Sequence, residues 1–221
     1  MAQARFHGET IDRARMQAIV AAHPRAARFE ECSFEHGDFS RLDMDGFQFD
    51  QCAVAGSQWL AASLEETQWS RCRGAGVDFT SAQLSDSRFE HCDLNNSHWR
   101  RSTLSSVQFL GCKLTGAQLQ EAGGWLLSFR DCLLVSADLR GLSFRKAPLC
   151  GNDFSEADVS GCDFRDAVFE GGSLRNVQAR LARFDGADLR DTDISGLNVM
   201  DAKPFRKARI SHAQAAAAMA A

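Results

Sequence analysis

The sequence predicts a solenoid: a rod of stacked square coils in place of separate globular domains. Three observations carry this reading. Every fifth residue from Phe29 to Val199 forms a column of thirty-five positions, apolar at all but Gly74 and Gly124. With 44% apolar residues overall, about fifteen would be expected by chance. A second column two residues earlier is mostly small (Ala27, Cys32, Gly37, Cys52, Ser57, Ala62, Thr67, Cys72) and holds seven of the eight cysteines. Finally, Cys32, Cys52, Cys72, Cys92, Cys112 and Cys132 recur every twenty residues, as do Phe29, Phe49, Trp69, Phe89, Phe109 and Phe129.

Period five suits neither ordinary element. Five helical residues overshoot a full turn, and five strand residues end on the opposite side of a sheet. The chain must therefore bend once per quintet, and four right-angle bends close a coil of twenty. Stacking such coils lays like side chains over like, which fills the axis without voids. The run gives about nine coils and, at about 4.8 Å per coil, a rod about 42 Å long.

The elements follow in order. Residues 1–26 form an N-terminal cap, where 12–22 reads as a short helix with Thr10 or Asp12 near its start and Pro24 after its end. Phe6, Ile11 and Met16 share the spacing of five, so an atypical first coil is the competing reading. Residues 27–201 are the coils. Leu42 and Phe47 are oversized for the small column and predict a bulge in the first coils, while Gly74 and Gly124 leave missing rungs. Residues 202–221 are a C-terminal cap, in which Ser211 and Gln214 form a capping box opening an alanine-rich helix. Caps are needed because the end of a solenoid is a row of unpaired backbone groups.

The quintets Ala137-Asp138-Leu139-Arg140-Gly141, Ala157-Asp158-Val159-Ser160-Gly161 and Ala187-Asp188-Leu189-Arg190-Asp191 resemble the pentapeptide repeat proteins, whose unit is Ala-Asp/Asn-Leu/Phe-x-x. The resemblance spans residues 27–201. It implies an all-β solenoid, a right-handed quadrilateral β-helix with short parallel strands or bridges on four faces. The segment from Lys207 to Ala221 is similar to the end of the topoisomerase-protecting members, the Qnr-like and mycobacterial fluoroquinolone-resistance proteins among them. That similarity implies a homodimer through Ile210, Ala213, Ala217 and Met219, and a twofold rod that imitates duplex DNA and binds DNA gyrase or topoisomerase IV. The uninterrupted register has no projecting loops, as in the mycobacterial type.

Charge is unevenly divided. The net charge is −4, but residues 1–28 and 200–221 each carry +3, which leaves −10 on the coils. Direct binding of nucleic acid is therefore not expected. Spread over the rod, −10 is one charge per about 4 Å, against one per about 1.7 Å in duplex DNA, so mimicry needs acids segregated from bases. Such a place lies on the face of Met44, Leu64 and Leu84, whose outward positions hold Asp43, Asp45, Glu65, Glu66 and Asp86 with no base among them. This patch is the candidate docking surface for a basic groove; the plainer reading is ordinary solvated surface. Further along, Arg145, Lys146 and Arg165 reverse the sign.

The rest of the inventory argues for binding over catalysis. A filled prism offers no pocket, the six histidines do not converge, and no metal or cofactor set is readable, so no enzyme is predicted. The stacked cysteines read as small hydrophobes, whereas Cys150, one residue past the core position Leu149, points outward. Trp125, beside Gly123 and Gly124, is either a partner's anchor or a ring folded over the Gly124 gap. No run of eighteen apolar residues and no secretory signal is readable, which excludes a membrane span and predicts a cytoplasmic protein with reduced thiols. The leading expectation is a non-enzymatic gyrase-binding dimer. The alternative is a structural or adaptor module of unknown partner, such as one accessory to secretion or effector delivery.

Overall fold

The computed structural model describes residues 3–197 and 203–220, with the backbone alone for Met219 and Ala220. The chain runs β1 (Ala4–His7), α1 (Arg13–Ala22), β2 (Ala27–Glu30), β3 (Gln48–Asp50), β4 (Gln68–Ser70), β5 (Arg88–Glu90), β6 (Gln108–Leu110), β7 (Ser128–Arg130), β8 (Pro148–Cys150), β9 (Val168–Glu170) and α2 (His212–Ala220). The nine strands form one parallel sheet in sequence order. From β2 onward each strand pairs twenty residues along, as Phe49 does with Trp69. The other three faces are joined by single parallel bridges, for example Ser33 to Ala53, Asp38 to Gln58 and Asp43 to Ser63. The square coil of twenty and the all-β solenoid are thus as expected.

The corner geometry explains the period. Among the described residues, the second residue after each core position except Leu189 has positive φ, as at Glu31 (54°), His36 (57°), Arg41 (61°) and Gly46 (72°). One left-handed residue per quintet bends the chain about a quarter turn. At three corners the backbone N–H of the small-column residue closes the turn, as Gly37 N donates to Phe34 O at 3.0 Å. The fourth corner carries the cysteine ladder, where each thiol donates to the carbonyl of the ring residue one coil back, such as Cys72 Sγ to Phe49 O at 3.4 Å. Asn152 takes the cysteine's place, donating Nδ2 to Phe129 O (2.9 Å) and accepting from Cys132 N (3.1 Å).

Rings fill the axis. Phe29, Phe49, Trp69, Phe89, Phe109 and Phe129 stack within 13° of parallel, and rings on adjacent faces meet edge-on, as Trp59 does Trp69 at 83°. Both are favoured aromatic geometries. A buried indole needs an acceptor, and the small column supplies it: Trp59, Trp69 and Trp99 donate Nε1–H to Ser57 (2.7 Å), Thr67 (2.9 Å) and Ser97 (2.7 Å).

Several expectations are corrected. Leu42 and Phe47 cause no bulge, since the bridges from Asp43 to Ser63 and Gln48 to Gln68 are intact. Phe47 packs against Phe29 (5.9 Å), and Gly37 on the same coil cedes its space to the Phe39 ring, 2.6 Å from where a Cβ would stand. Gly74 leaves no gap, because Val54 and Leu94 close on it within 3.0 Å of a would-be Cβ.

The N-terminal segment is half coil and half helix. Phe6 stacks on Phe29 (5.2 Å) and Thr10 bridges Ser33. Then α1, capped by Asp12, whose side chain accepts from Arg15 N (2.8 Å), replaces the last two faces and buries Met16 and Ile19. At the other end the coil continues past the expected limit at residue 201, which itself lies outside the described residues, as does Val199. The spacing slips to twenty-one, so Phe205 stacks on Phe184 (4.9 Å) and Arg209 bridges Asp188. Helix α2 then closes the rod: Ser211 and Gln214 form the capping box, and Gln214 Nε2 donates to Leu189 O and Thr192 O, both at 2.8 Å.

Candidate partner-binding surface

The acids of the coils divide into two kinds. An aspartate just before a core residue accepts the backbone N–H two positions on, a group turned outward from the ladder; Asp38, Asp78, Asp153 and Asp158 do so for Ser40, Thr80, Ser155 and Ser160 at 2.8–2.9 Å. Where an arginine follows, it pairs back onto the same carboxylate, as Arg140 does on Asp138 and Arg190 on Asp188, both at 2.6 Å. That hydrogen bonding holds the Asp188 carboxyl below the usual range. These carboxylates serve the fold. Charge available to a partner comes from the two corner residues after each core position.

The predicted patch spans both kinds. Glu66 and Asp86 are exposed corner residues and Glu65 is a half-exposed one. Asp43 is exposed and accepts Asp45 N (3.2 Å). Asp45 is a staple, accepting Ser63 Oγ (2.7 Å) and Glu65 N (2.9 Å) with a side chain only 13% exposed. The expectation of a base-free patch is corrected, since Arg25 reaches up from the N-terminal cap to Glu66 (3.1 Å) and Asp45 (3.9 Å). The sequence register placed no base there because Arg25 lies outside the repeat. Glu65, Glu66 and Asp86 remain the working acidic surface.

Trp125 does not fold over the Gly124 gap. It is 74% exposed and the next residue, Leu126, is 77% exposed. Gly124, at φ 145°, sits so close to the preceding coil that a Cβ would lie 2.6 Å from Ser105 N. The coil is drawn toward Leu104, whose N–H meets Gly123 O at 2.6 Å. On the other side the ladder opens: Gly123 to Ser143 is the one bridge missing on this face between Asp43 and Arg183. Beyond it, Pro148 has no N–H to give, and β7 pairs with β8 only through Arg130 and Cys150.

The proposed dimer residues separate. Ile210 is half-buried and packs on the core end, whereas Ala213 and Ala217 face outward, opposite Gln214 and Ala215. The Met219 side chain lies outside the described residues. Of the thiols, burial pushes Cys162 up to about 12. Cys150 is half-exposed and donates to Glu170 Oε2 (3.1 Å), a carboxylate that raises its pKa and slows its ionisation. No group of His, Cys, Asp or Glu among the described residues could hold a metal ion, and no helix there is long and apolar enough to cross a membrane.

Square coils, ring ladders and aspartate staples define a quadrilateral β-solenoid. The family model for a pentapeptide repeat region matches residues 43–119, and the model for pentapeptide repeats in eight copies matches 128–166 and 162–198. The chain belongs to the pentapeptide repeat family. Among solved structures it resembles full-length QnrB1, a plasmid-mediated fluoroquinolone resistance protein, at 21% identity and a TM-score of 0.66, covering 100% of this chain and 97% of that one. It also resembles HetL, a pentapeptide repeat protein of the cyanobacterium Nostoc sp. strain PCC 7120 involved in heterocyst differentiation regulation, at 18% identity and a TM-score of 0.56 over 90% of this chain and 94% of that one. These likenesses are of fold. No curated protein matches in sequence.

Proposed function

We propose that the protein is a non-enzymatic, cytoplasmic DNA mimic that binds DNA gyrase or topoisomerase IV and modulates it or protects it from inhibitors. The observation that carries this reading is the corner of Glu65, Glu66 and Asp86, whose carboxylates project from successive coils free of the staple role that other acids fill. Support comes from a rod that matches the fluoroquinolone resistance protein QnrB1 over its whole length. Glu65 and Glu66 lie on one coil and Asp86 on the next, about 4.8 Å along the rod, and a basic DNA-binding groove attracts such a cluster of negative charge. Ala213 and Ala217 on the outer side of α2 would join two rods end to end, doubling the length of the mimic.

The test is binding of the full chain to immobilised gyrase. Reversing Glu65, Glu66 and Asp86 to Lys should weaken binding at least tenfold while leaving the melting temperature unchanged, because all three lie at the surface. Equal binding by the triple variant would make the corner ordinary solvated surface.

A further inference from the structure

The corner that bears the acids changes character along the rod. Its two outward residues in successive coils are Asp45 and Gly46, Glu65 and Glu66, Ser85 and Asp86, Ser105 and Ser106, Trp125 and Leu126, then Arg145 and Lys146. Trp125 and Leu126 are two of the five large apolar residues exposed among the described residues. Arg145 and Lys146 are exposed, and their side chains make no ion pair or hydrogen bond among the described residues. Read outward from Ser105 and Ser106, the ridge is acidic toward one end and apolar, then basic, toward the other.

Such a ridge is complementary to its own reverse. A twofold axis across the rod at Ser105 brings Glu65 and Glu66 opposite Arg145 and Lys146 of a second copy. It also lays Trp125 and Leu126 over Ser85 and Asp86 of the second copy. We propose that two copies pair side by side and antiparallel along this corner, each laying its Trp125 and Leu126 on the other's Ser85 and Asp86 inside a rim of charge pairs.

The layout has the anatomy of a protein interface. At about 4.8 Å per coil the apolar pairs stand about 5 Å from the axis and the charge pairs about 10 Å from it, an apolar centre within a charged rim. The serines between them leave room for close approach. The open ladder between Gly123 and Ser143 frees the Trp125 turn from the coil behind it to settle on a partner. A twofold contact of this kind is closed, so it stops at two copies and forms no filament. It differs from the end contact through α2 and goes beyond the gyrase reading, since it would cover Glu65 and Glu66.

The experiment is sedimentation velocity of the full chain, wild type and variants, at low and high salt. Charge pairs at the rim are screened by salt, so lateral association of the wild type should weaken at least tenfold between about 50 mM and about 500 mM. Glu65→Lys with Glu66→Lys should lose the lateral species, as should Arg145→Glu with Lys146→Glu. Mixing the two variants should restore it, because each then meets opposite charge along the whole ridge. Trp125→Ala should weaken it at both salts. Association indifferent to salt and to both reversals would belong to α2 and overturn the lateral pairing. A single mass for the wild type at low salt up to about 100 μM, or a mixture that fails to re-associate, would overturn it too.

Discussion

Replacing Ser97 with Ala tests whether the small column does more than fill space. Trp99 is fully buried, stacked on Phe79 at 4.5 Å and edge-on to Phe89 and Phe109 at 5.4 Å each, so the indole has no room to turn toward water. Its N–H has one acceptor, Ser97 Oγ at 2.7 Å, itself buried. Removing the hydroxyl strands a buried donor, a change that costs about 1–3 kcal/mol. For a chain of this length that is a fall of about 2–4 °C in melting temperature per kcal/mol. Urea unfolding followed by tryptophan fluorescence measures it. Ser97→Thr should stay near wild type, as Thr67 already serves Trp69 this way. In a Trp99→Phe background, where no N–H remains, the same Ser97→Ala change should cost under about 0.5 kcal/mol, and the cycle isolates the hydrogen bond. A loss below about 0.5 kcal/mol for Ser97→Ala alone would show that the small column only fills space.

Asn152→Ala should cost about 1–3 kcal/mol in urea unfolding, since Phe129 O and Cys132 N both lose a buried partner; Asn152→Cys should cost less, because cysteine fills that place in the coils before it. Thiol labelling of the native protein should find Cys150 alone, and Glu170→Gln should speed it at pH 8 by removing the carboxylate that raises its pKa. Cys162, raised from 9.0 to about 12 by burial, holds its proton in the fold after the unfolded thiol has lost its own. The stability this thiol contributes is therefore full below about pH 9 and declines toward pH 12, and Cys162→Ala should flatten the midpoint-against-pH curve above pH 9. At high salt and dilutions that hold the chain monomeric, Trp125→Ala should change the unfolding free energy by less than about 0.5 kcal/mol, because the ring is exposed; a larger loss would restore the ring to the Gly124 gap.

The repeat was legible because one left-handed corner per quintet imposes a period that no other element shares, and because identical side chains twenty apart must stack. What escaped has physical causes. The purpose of the Asp before each core residue is invisible in a one-dimensional pattern, since its partner is a backbone N–H. Arg25 reaches the acidic corner from outside the register. Phe205 was missed because one extra residue separates it from Phe184, which a strict period of five cannot follow. The exposure of Trp125 depends on Gly124 collapsing onto the Leu104 coil, a backbone event that composition does not report. The acidic corner itself could be named residue by residue, and only the share of its charge already held by Asp45 and Arg25 needed coordinates.

Whether this rod stands in for DNA at a topoisomerase decides its function. The direct measurement is gyrase supercoiling of relaxed plasmid with the purified protein titrated in, with and without a quinolone. A DNA mimic should inhibit supercoiling or relieve quinolone-stabilised cleavage at micromolar protein, and should lose either effect on reversing Glu65, Glu66 and Asp86. Unchanged supercoiling and unchanged cleavage across that range would contradict the mimicry.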